Sequence, residues 1–413
     1  MSHAVAAAIA LALLEPERWR SGVRASLESF EGLDAESRTA IGRLVKSLYV
    51  RPEVDELAAL IARDPKVTLR GVIPRRWALP PLRMTRPPYG APPLPTPADL
   101  AAFLDVEVGE LSFLADPKGW NTDARRQHYR TRWVPKRRGG RRLIEAPKAR
   151  LKRVQRKVLR GILDPVPLGA AATGFAPGAS PSKHAARHSG KRWVLKMDLA
   201  DFFAHVGSGR VRAIFETLGY PLAVRRLLVG LCTTRAPAEL LLDADPVERA
   251  LHGRRRLPQG APTSPTLANL AAAPLDHRLW NLAARLGLTY SRYADDLAFS
   301  GDRMPESLIP RIAAIGIEEG FPLQLRKTRR MGRAVRQELT GLVVNADPAP
   351  RRESYDRLRA ILHQAALDGP AAANREARED FRAYLRGRIE WVAGGRPQRR
   401  AKLDALFARI DWS

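Results

Sequence analysis

Apolar positions along the chain follow two periods, and the switches between them outline its elements. Residues 3 to 64 are Ala/Leu-rich and keep a helical pattern. After Thr96-Pro97, an N-cap followed by a first-turn proline, Leu100, Phe103 and Leu104 recur at helical spacing. Trp133 to Ile144 alternates about Gly139-Gly140 and predicts a hairpin. From Ala149 the period returns to helical, with Leu151, Val154 and Val158-Leu159 facing inward. Trp193 to Met197 is a β-rich run ending at Asp198; Ser208 then caps a helix closed by Gly219. Thr263-Ser264-Pro265 opens a helix with Leu267, Leu270, Leu275, Leu279, Leu282 and Leu286 on one face and Gly287 at its end. Leu288 to Tyr293 and Leu297 to Ser300 read as short strands joined by Ala294-Asp295-Asp296. From Tyr355 on, the pattern is helical and basic.

One stretch breaks the pattern. Between Gly71 and Ala98 stand nine prolines. Proline fixes φ and removes a donor, so this segment is expected to be an extended linker or wrapping arm. The N-terminal run from Ala4 to Leu14 resembles a signal peptide in its apolarity, but no Lys or Arg precedes it and Glu15-Pro16-Glu17 follows. It reads as an ordinary apolar helix.

Length and charge sharpen this outline. A chain of 413 residues accommodates two to four packed units. Lys and Arg number 70 against 43 Asp and Glu, a net charge of +27. Such a surface attracts polyanions by releasing their counterions, which points to nucleic acid ahead of an anionic membrane. Between Arg130 and Arg160, 14 Lys or Arg face one acidic residue, Glu145. No apolar run of membrane-spanning length exists, and the single cysteine, Cys232, excludes an internal disulfide framework or a zinc cluster within one chain. A cytoplasmic location is expected.

The chemistry centres on Asp295-Asp296. Two adjacent carboxylates at a tight turn between apolar strands repel each other, and burying them without a cation is costly. Magnesium resolves the conflict, because it takes hard oxygen ligands and keeps waters and phosphates in its shell. Asp198, about a hundred residues earlier, supplies a third carboxylate and suits a site for two Mg2+ ions, with Mn2+ as a substitute. One ion activates an attacking hydroxyl and the other stabilises a leaving pyrophosphate.

With Tyr293-Ala294-Asp295-Asp296, the strings Met197-Asp198-Leu199-Ala200-Asp201-Phe202-Phe203 and Leu257-Pro258-Gln259-Gly260-Ala261-Pro262-Thr263-Ser264-Pro265 stand in the order of the reverse transcriptase palm motifs. Residues from about 95 to 413 resemble that family. The resemblance implies an α/β (α+β) right-hand polymerase, with fingers, a ferredoxin-like palm and a helical thumb, plus a helical N-terminal extension. The helical pattern and the prolines set the boundaries 1–70 for the extension and 71–98 for the proline-rich linker, both outside the resemblance, and the resemblance implies 99–190 for the N-terminal helix and fingers, 191–345 for the palm with part of the fingers and 346–413 for an RNA-binding thumb. It makes Asp198, Asp295 and Asp296 metal ligands and Lys327 a cation for the pyrophosphate. Phe203 becomes the aromatic gate against a ribose 2′-OH, with Asp201 and Phe202 beside it, and Gln259 and Gly260 border the incoming nucleotide. Lys136, Arg141 and Arg142 fall in the first fingers motif, where one or more clamps the triphosphate. Thr173-Gly174-Phe175-Ala176-Pro177-Gly178 matches the next fingers motif, with Ala179 where many relatives carry Arg.

Within the family the resemblance is to bacterial retron enzymes. Gln337 to Asn345 is similar to the retron segment centred on Val-Thr-Gly, here Leu339-Thr340-Gly341. His184-Ala185-Ala186-Arg187-His188 stands where retrons carry Asn-Ala-x-x-His. The two histidines are expected to contact RNA or pack a helix, since no acidic third ligand lies near for a metal. Arg386, Arg388, Trp391, Arg399 and Arg400 interleave aromatic and basic character, as an RNA-gripping thumb requires. A retron enzyme implies as partners a structured noncoding RNA serving as template and primer, an RNA–DNA hybrid and dNTPs. Its product is a short DNA branched from that RNA through an internal guanosine 2′-OH, with a role in anti-phage defence. The extension leaves open an effector protein or self-association; no membrane partner is expected. The alternatives are a group II intron-like, diversity-generating or unclassified reverse transcriptase, and a non-catalytic nucleic-acid-binding protein on a polymerase fold.

Overall fold

The computed structural model describes residues 2–14, 19, 21–74, 84, 87–117, 119–121, 126–136 and 139–412. The chain divides into two compact units, Met1–Arg83 and Met84–Ser413. The first packs helices Ser2–Leu13, Val23–Glu28, Ala35–Ser47 and Val54–Arg63. Ile9, Leu13, Ile41, Val45, Leu57 and Ile61 form its buried core. Ile73 pairs with Glu31 in a short antiparallel ladder, so the segment expected to be linker begins inside this unit. Much of the remaining proline arm, residues 75–83 and 85–86, lies outside the described residues.

The second unit is built around a four-stranded antiparallel sheet. Its order is Thr289–Tyr293, Asp296–Gly301, Trp193–Asp198, Arg329–Gly332. The strand ending at Asp198 is therefore central, paired with Asp296–Gly301 on one side and Arg329–Gly332 on the other. Val194, Leu195 and Met197 on that strand are buried, as are Leu297, Ala298 and Phe299 beside it. The sheet packs on a leucine-rich helical layer that includes Leu267, Leu275, Leu279 and Leu282.

That layer corrects the sequence reading. It is two helices, Ser264–Ala271 and Ala273–Arg285, because Pro274 has no N–H to continue the first and instead opens the second. Ser208 is likewise the first helical residue rather than the cap; Gly207 takes that place without a side-chain bond. Thr96 does cap its helix. Its side chain accepts from Asp99 N, and Asp99 reaches back to Thr96 N, a complete capping box.

The basic hairpin pairs Tyr129–Pro135 with Arg141–Pro147 and leads into helix Ala149–Val158. Near the C-terminus, helices Arg352–Asp368, Phe381–Ala393 and Pro397–Ala408 share a separate core of Leu358, Leu362, Leu385, Ile389 and Leu403. Among the described residues no helix is long and apolar enough to cross a membrane.

Candidate active site

The two-carboxylate turn is a tight hairpin. Tyr293 pairs with Asp296, leaving Ala294 and Asp295 as its corners. Ala294 has φ +59°, a left-handed conformation costing a non-glycine residue about 1–2 kcal/mol. Its surroundings hold it there. Buried Arg292 donates to the Ala294 carbonyl at 2.9 Å and to Asn269 Oδ1 at 2.9 Å, and pairs with Asp276 at 2.6 Å. Gly174 presses from the other side: a Cβ there would lie 2.7 Å from Ala294 N.

Register brings the third carboxylate in. Asp198 is the direct cross-strand partner of Asp296, and Leu199 N donates to the Asp295 carbonyl at 2.8 Å. Burial pushes the Asp295 carboxyl up to about 6, with the charges of Asp198 and Asp296 adding to the shift. Burial raises Asp296 as well, opposed by the Lys196 ammonium. Two lysines meet this charge: Lys327 Nζ lies 2.8 Å from Asp198 Oδ1, and Lys196 Nζ lies 2.9 Å from Asp296 Oδ2. Accordingly, among the described residues no three His, Cys, Asp or Glu side chains are pre-gathered around a metal position. The donor set nevertheless suits a hard divalent cation: all-oxygen, crowded and mutually repelling.

A cavity of about 270 Å3 opens over the carboxylates and is lined by Lys136, Arg142, Asp201, Phe203, Gln259 and Lys327 besides Asp198 and Asp295. Lys136 Nζ pairs with Asp201 at 2.9 Å. Phe203 stands at the cavity beside Phe175, and Phe202 also lines it, though nearly all of its side chain is buried. Arg141 is not brought to the cavity. It pairs with Glu248 at 2.7 Å and stacks over Trp133, which corrects its place among the triphosphate-clamping candidates. Gly260 (φ +136°) backs onto the hairpin, where an added Cβ would lie 2.9 Å from the Glu145 carbonyl oxygen. In this structure its close approach is to protein backbone. The Gln259 carbonyl accepts from Glu145 N at 2.9 Å, and the buried Arg256–Glu145 pair, 2.8 Å apart, ties the same two elements.

A model of the family "Reverse transcriptase (RNA-dependent DNA polymerase)" matches residues 134–344, which hold this whole site. The retron Mx65 reverse transcriptase of Myxococcus xanthus is 43% identical over 306 residues, spanning 72% of this chain and 69% of that one. This chain belongs to the retron reverse transcriptases. The retron Mx162 enzyme of the same organism is 37% identical over 66% of this chain and 59% of its own length. The retron Ec86 enzyme of Escherichia coli is 33% identical over 54% and 64%. The chain is therefore an RNA-directed DNA polymerase of α+β right-hand architecture, from a family that uses divalent metal ions.

In this reverse transcriptase His184 and His188 do not present themselves to RNA. Both are fully buried. His188 lies 2.8 Å from Ser300 Oγ and 2.7 Å from Ser291 Oγ; His184 Nδ1 lies 2.8 Å from Thr173 Oγ1 and 3.0 Å from Ser291 Oγ. They pin the segment before the central strand to the strand leading into the aspartate turn, so the RNA-contact expectation is corrected to packing. Thr340 and Gly341 form a turn with positive φ at both residues, and Thr340 Oγ1 donates to the Pro181 carbonyl at the start of the His184 helix.

The C-terminal candidates sit on their helices as expected by period, away from the carboxylates' cavity. Arg386 is exposed, its guanidinium 5.2 Å from the Phe407 ring centroid. Arg400 pairs with Glu390 and Asp404; Arg399 lies over Tyr355; Trp391 lies beside Gly341; Arg388 is half-buried.

Sequence reasoning missed Lys196, Arg292 with Asp276, and Arg256 with Glu145. For Lys196 a signal existed: two residues before Asp198 on a strand, it shares that carboxylate's face. The other pairs join residues from different elements, and nothing local announces them.

Proposed function

We propose that this reverse transcriptase extends a nucleic-acid 3′ end, and begins from an internal guanosine 2′-OH, on its own structured noncoding RNA, giving a short RNA-linked branched DNA. The observation that carries the polymerase site is the convergence of Asp198, Asp295 and Asp296 at one end of the sheet, below a basic-lined cavity. Asp198, Asp295 and Asp296 would hold two Mg2+ ions, with Mn2+ as a substitute, which supply Lewis acidity to the attacking hydroxyl and the departing pyrophosphate. The chain's own groups do the rest. Lys136 and Arg142 bind the triphosphate, Arg142 in bidentate fashion. Gln259 borders the nucleotide, and Phe203 crowds the position of a ribose 2′-OH. As the hydroxyl gives up its proton to solvent and its oxygen bonds to the α-phosphorus, the bond to pyrophosphate breaks, and Lys327 releases Asp198 and neutralises the leaving group.

In this reading residues 99–190 act as fingers, 191–345 as palm and 346–413 as an RNA-gripping thumb, with Arg386, Arg388 and Trp391 as contacts. The +27 charge supports a polyanionic partner. The product serves anti-phage defence in the cytoplasm, and the unit within residues 1–83 serves an effector or a second copy. Primer extension with Mg2+ and dNTPs tests the core of this: the wild type extends, and Asp295→Ala loses about a thousandfold or more of the rate. Equal synthesis by both would refute it.

A further inference from the structure

The site contains one more cation than the chemistry above employs. Lys327 stands on a short 3-10 turn, Leu325–Lys327, with its side chain 44% exposed, so its contact with Asp198 can open. Lys196 is placed differently. It lies on the central strand, bracketed by Ala298 on one neighbour and Arg329 on the other, so its backbone is fixed on both sides. Its side chain shares a face with Asp198, reaches diagonally to Asp296 and is 28% exposed. The three carboxylates are thus treated unequally. Asp296 has one oxygen held by a lysine on rigid backbone, Asp198 has one held by a lysine on a loop, and among the described residues no cation pairs with Asp295.

We propose that Lys196 is a positioning residue: it holds Asp296 against the sheet, leaving Asp198 and Asp295 as the principal metal-binding pair. This rests on the metal-dependent polymerase reading. The fixed ammonium lowers the site's affinity for cations while ordering its geometry. When Lys327 leaves Asp198, Lys196 still holds one oxygen of Asp296 against the sheet.

The consequence separates positioning from plain structural support. Removing a unit charge beside a divalent site tightens metal binding by about tenfold even in a water-like dielectric, whereas a merely loosened site binds metal more weakly. The probe is Mn2+ alone, titrated into the full chain without nucleic acid or nucleotide, with free Mn2+ read by electron paramagnetic resonance. Lys196→Met is expected to bind Mn2+ about tenfold more tightly, yet to add a single nucleotide about tenfold more slowly at unchanged KM; Lys196→Arg is expected to restore both. Unchanged or weaker Mn2+ binding by a folded Lys196→Met overturns the inference.

Should that variant not fold, Asp296→Asn and Asp295→Asn decide. The inference expects the former to weaken Mn2+ binding less than about twofold and the latter about tenfold or more, and equal losses overturn it. Failure of the wild type to bind Mn2+ would instead overturn the underlying metal reading.

Discussion

Acid should loosen this protein at His184 and His188, and the size of the effect follows from their burial. Desolvation dominates at both, and each is also surrounded by cations. Burial, then Arg187 and Lys196, hold the His184 imidazole down to about 4. Burial, then His184, Arg187 and Lys191, hold His188 to about 3. In the unfolded chain both return to about 6.5. Folded values below the unfolded value mean that, between them, the unfolded chain binds more protons. The neutral histidines' contribution is therefore complete above about pH 6.5 and is lost progressively as pH falls toward 4 and 3. At pH 5 the unfolded value is about 1.5 units away, which costs about 2 kcal/mol per histidine. Because the rings are 5.5 Å apart their titrations are coupled, so the pair together loses about 2–4 kcal/mol. The assay is urea unfolding by tryptophan fluorescence at several pH values, comparing wild type with a His184→Gln/His188→Gln double variant. Other depressed histidines, such as His128, His205 and His252, are common to both chains and cancel in the difference. The stability difference should shift by about 2–4 kcal/mol against the wild type between pH 7 and pH 5. A difference independent of pH would refute the argument and mean that the two rings are accessible to water or already charged.

Three further outcomes can be checked. Gly174→Ala places a methyl 2.7 Å from Ala294 N and 3.1 Å from the Tyr293 carbonyl carbon; the shifted turn should cut kcat about a hundredfold in a chain that still melts cooperatively. Asp276→Asn leaves buried Arg292 without its counter-charge and should cost about 3–5 kcal/mol, read as a lower urea midpoint; an unchanged midpoint would mean water reaches that arginine. Phe203→Val should raise ribonucleotide incorporation relative to deoxynucleotide by about tenfold or more in competition assays, and an unaltered ratio would remove Phe203 from the gate.

Most of the polymerase unit could be read from sequence because its elements are locally specified. The alternation about Gly139-Gly140 gives a hairpin, the run into Asp198 gives a strand, and the leucine spacing after Thr263 gives helix. Pro274 was the local signal passed over there, since a continuous leucine face hid the break between two helices. The clustered carboxylates were legible because adjacent aspartates between apolar strands need an explanation. Arg141 misled for the opposite reason. A basic residue in a basic string looks available, and its capture by Glu248, 107 residues away, is a tertiary event. For His184 and His188 the sequence left RNA contact and helix packing both open, because Ser291 and Ser300, whose hydroxyls meet the two rings and decide for packing, lie more than a hundred residues along the chain. Burial of a polar group becomes predictable only when its partners are known.

The strained residue at the turn binds these observations together. Ala294 occupies a left-handed conformation where glycine would cost less, so something must over-determine it. Arg292 satisfies its carbonyl, Asn269 holds that arginine while donating to the Gly174 carbonyl, and Gly174 closes against its amide. The fixed turn aims Asp295 toward Asp198 and Asp296, and the resulting crowding helps lift its carboxyl to about 6. Relaxing the turn would separate the charges and gain stability, but it would disperse the oxygen ligands that a divalent cation needs. The buried Arg292–Asp276 pair thus holds the repelling carboxylates together as well as supporting the fold, so its loss should impair metal binding even in the chains that remain folded.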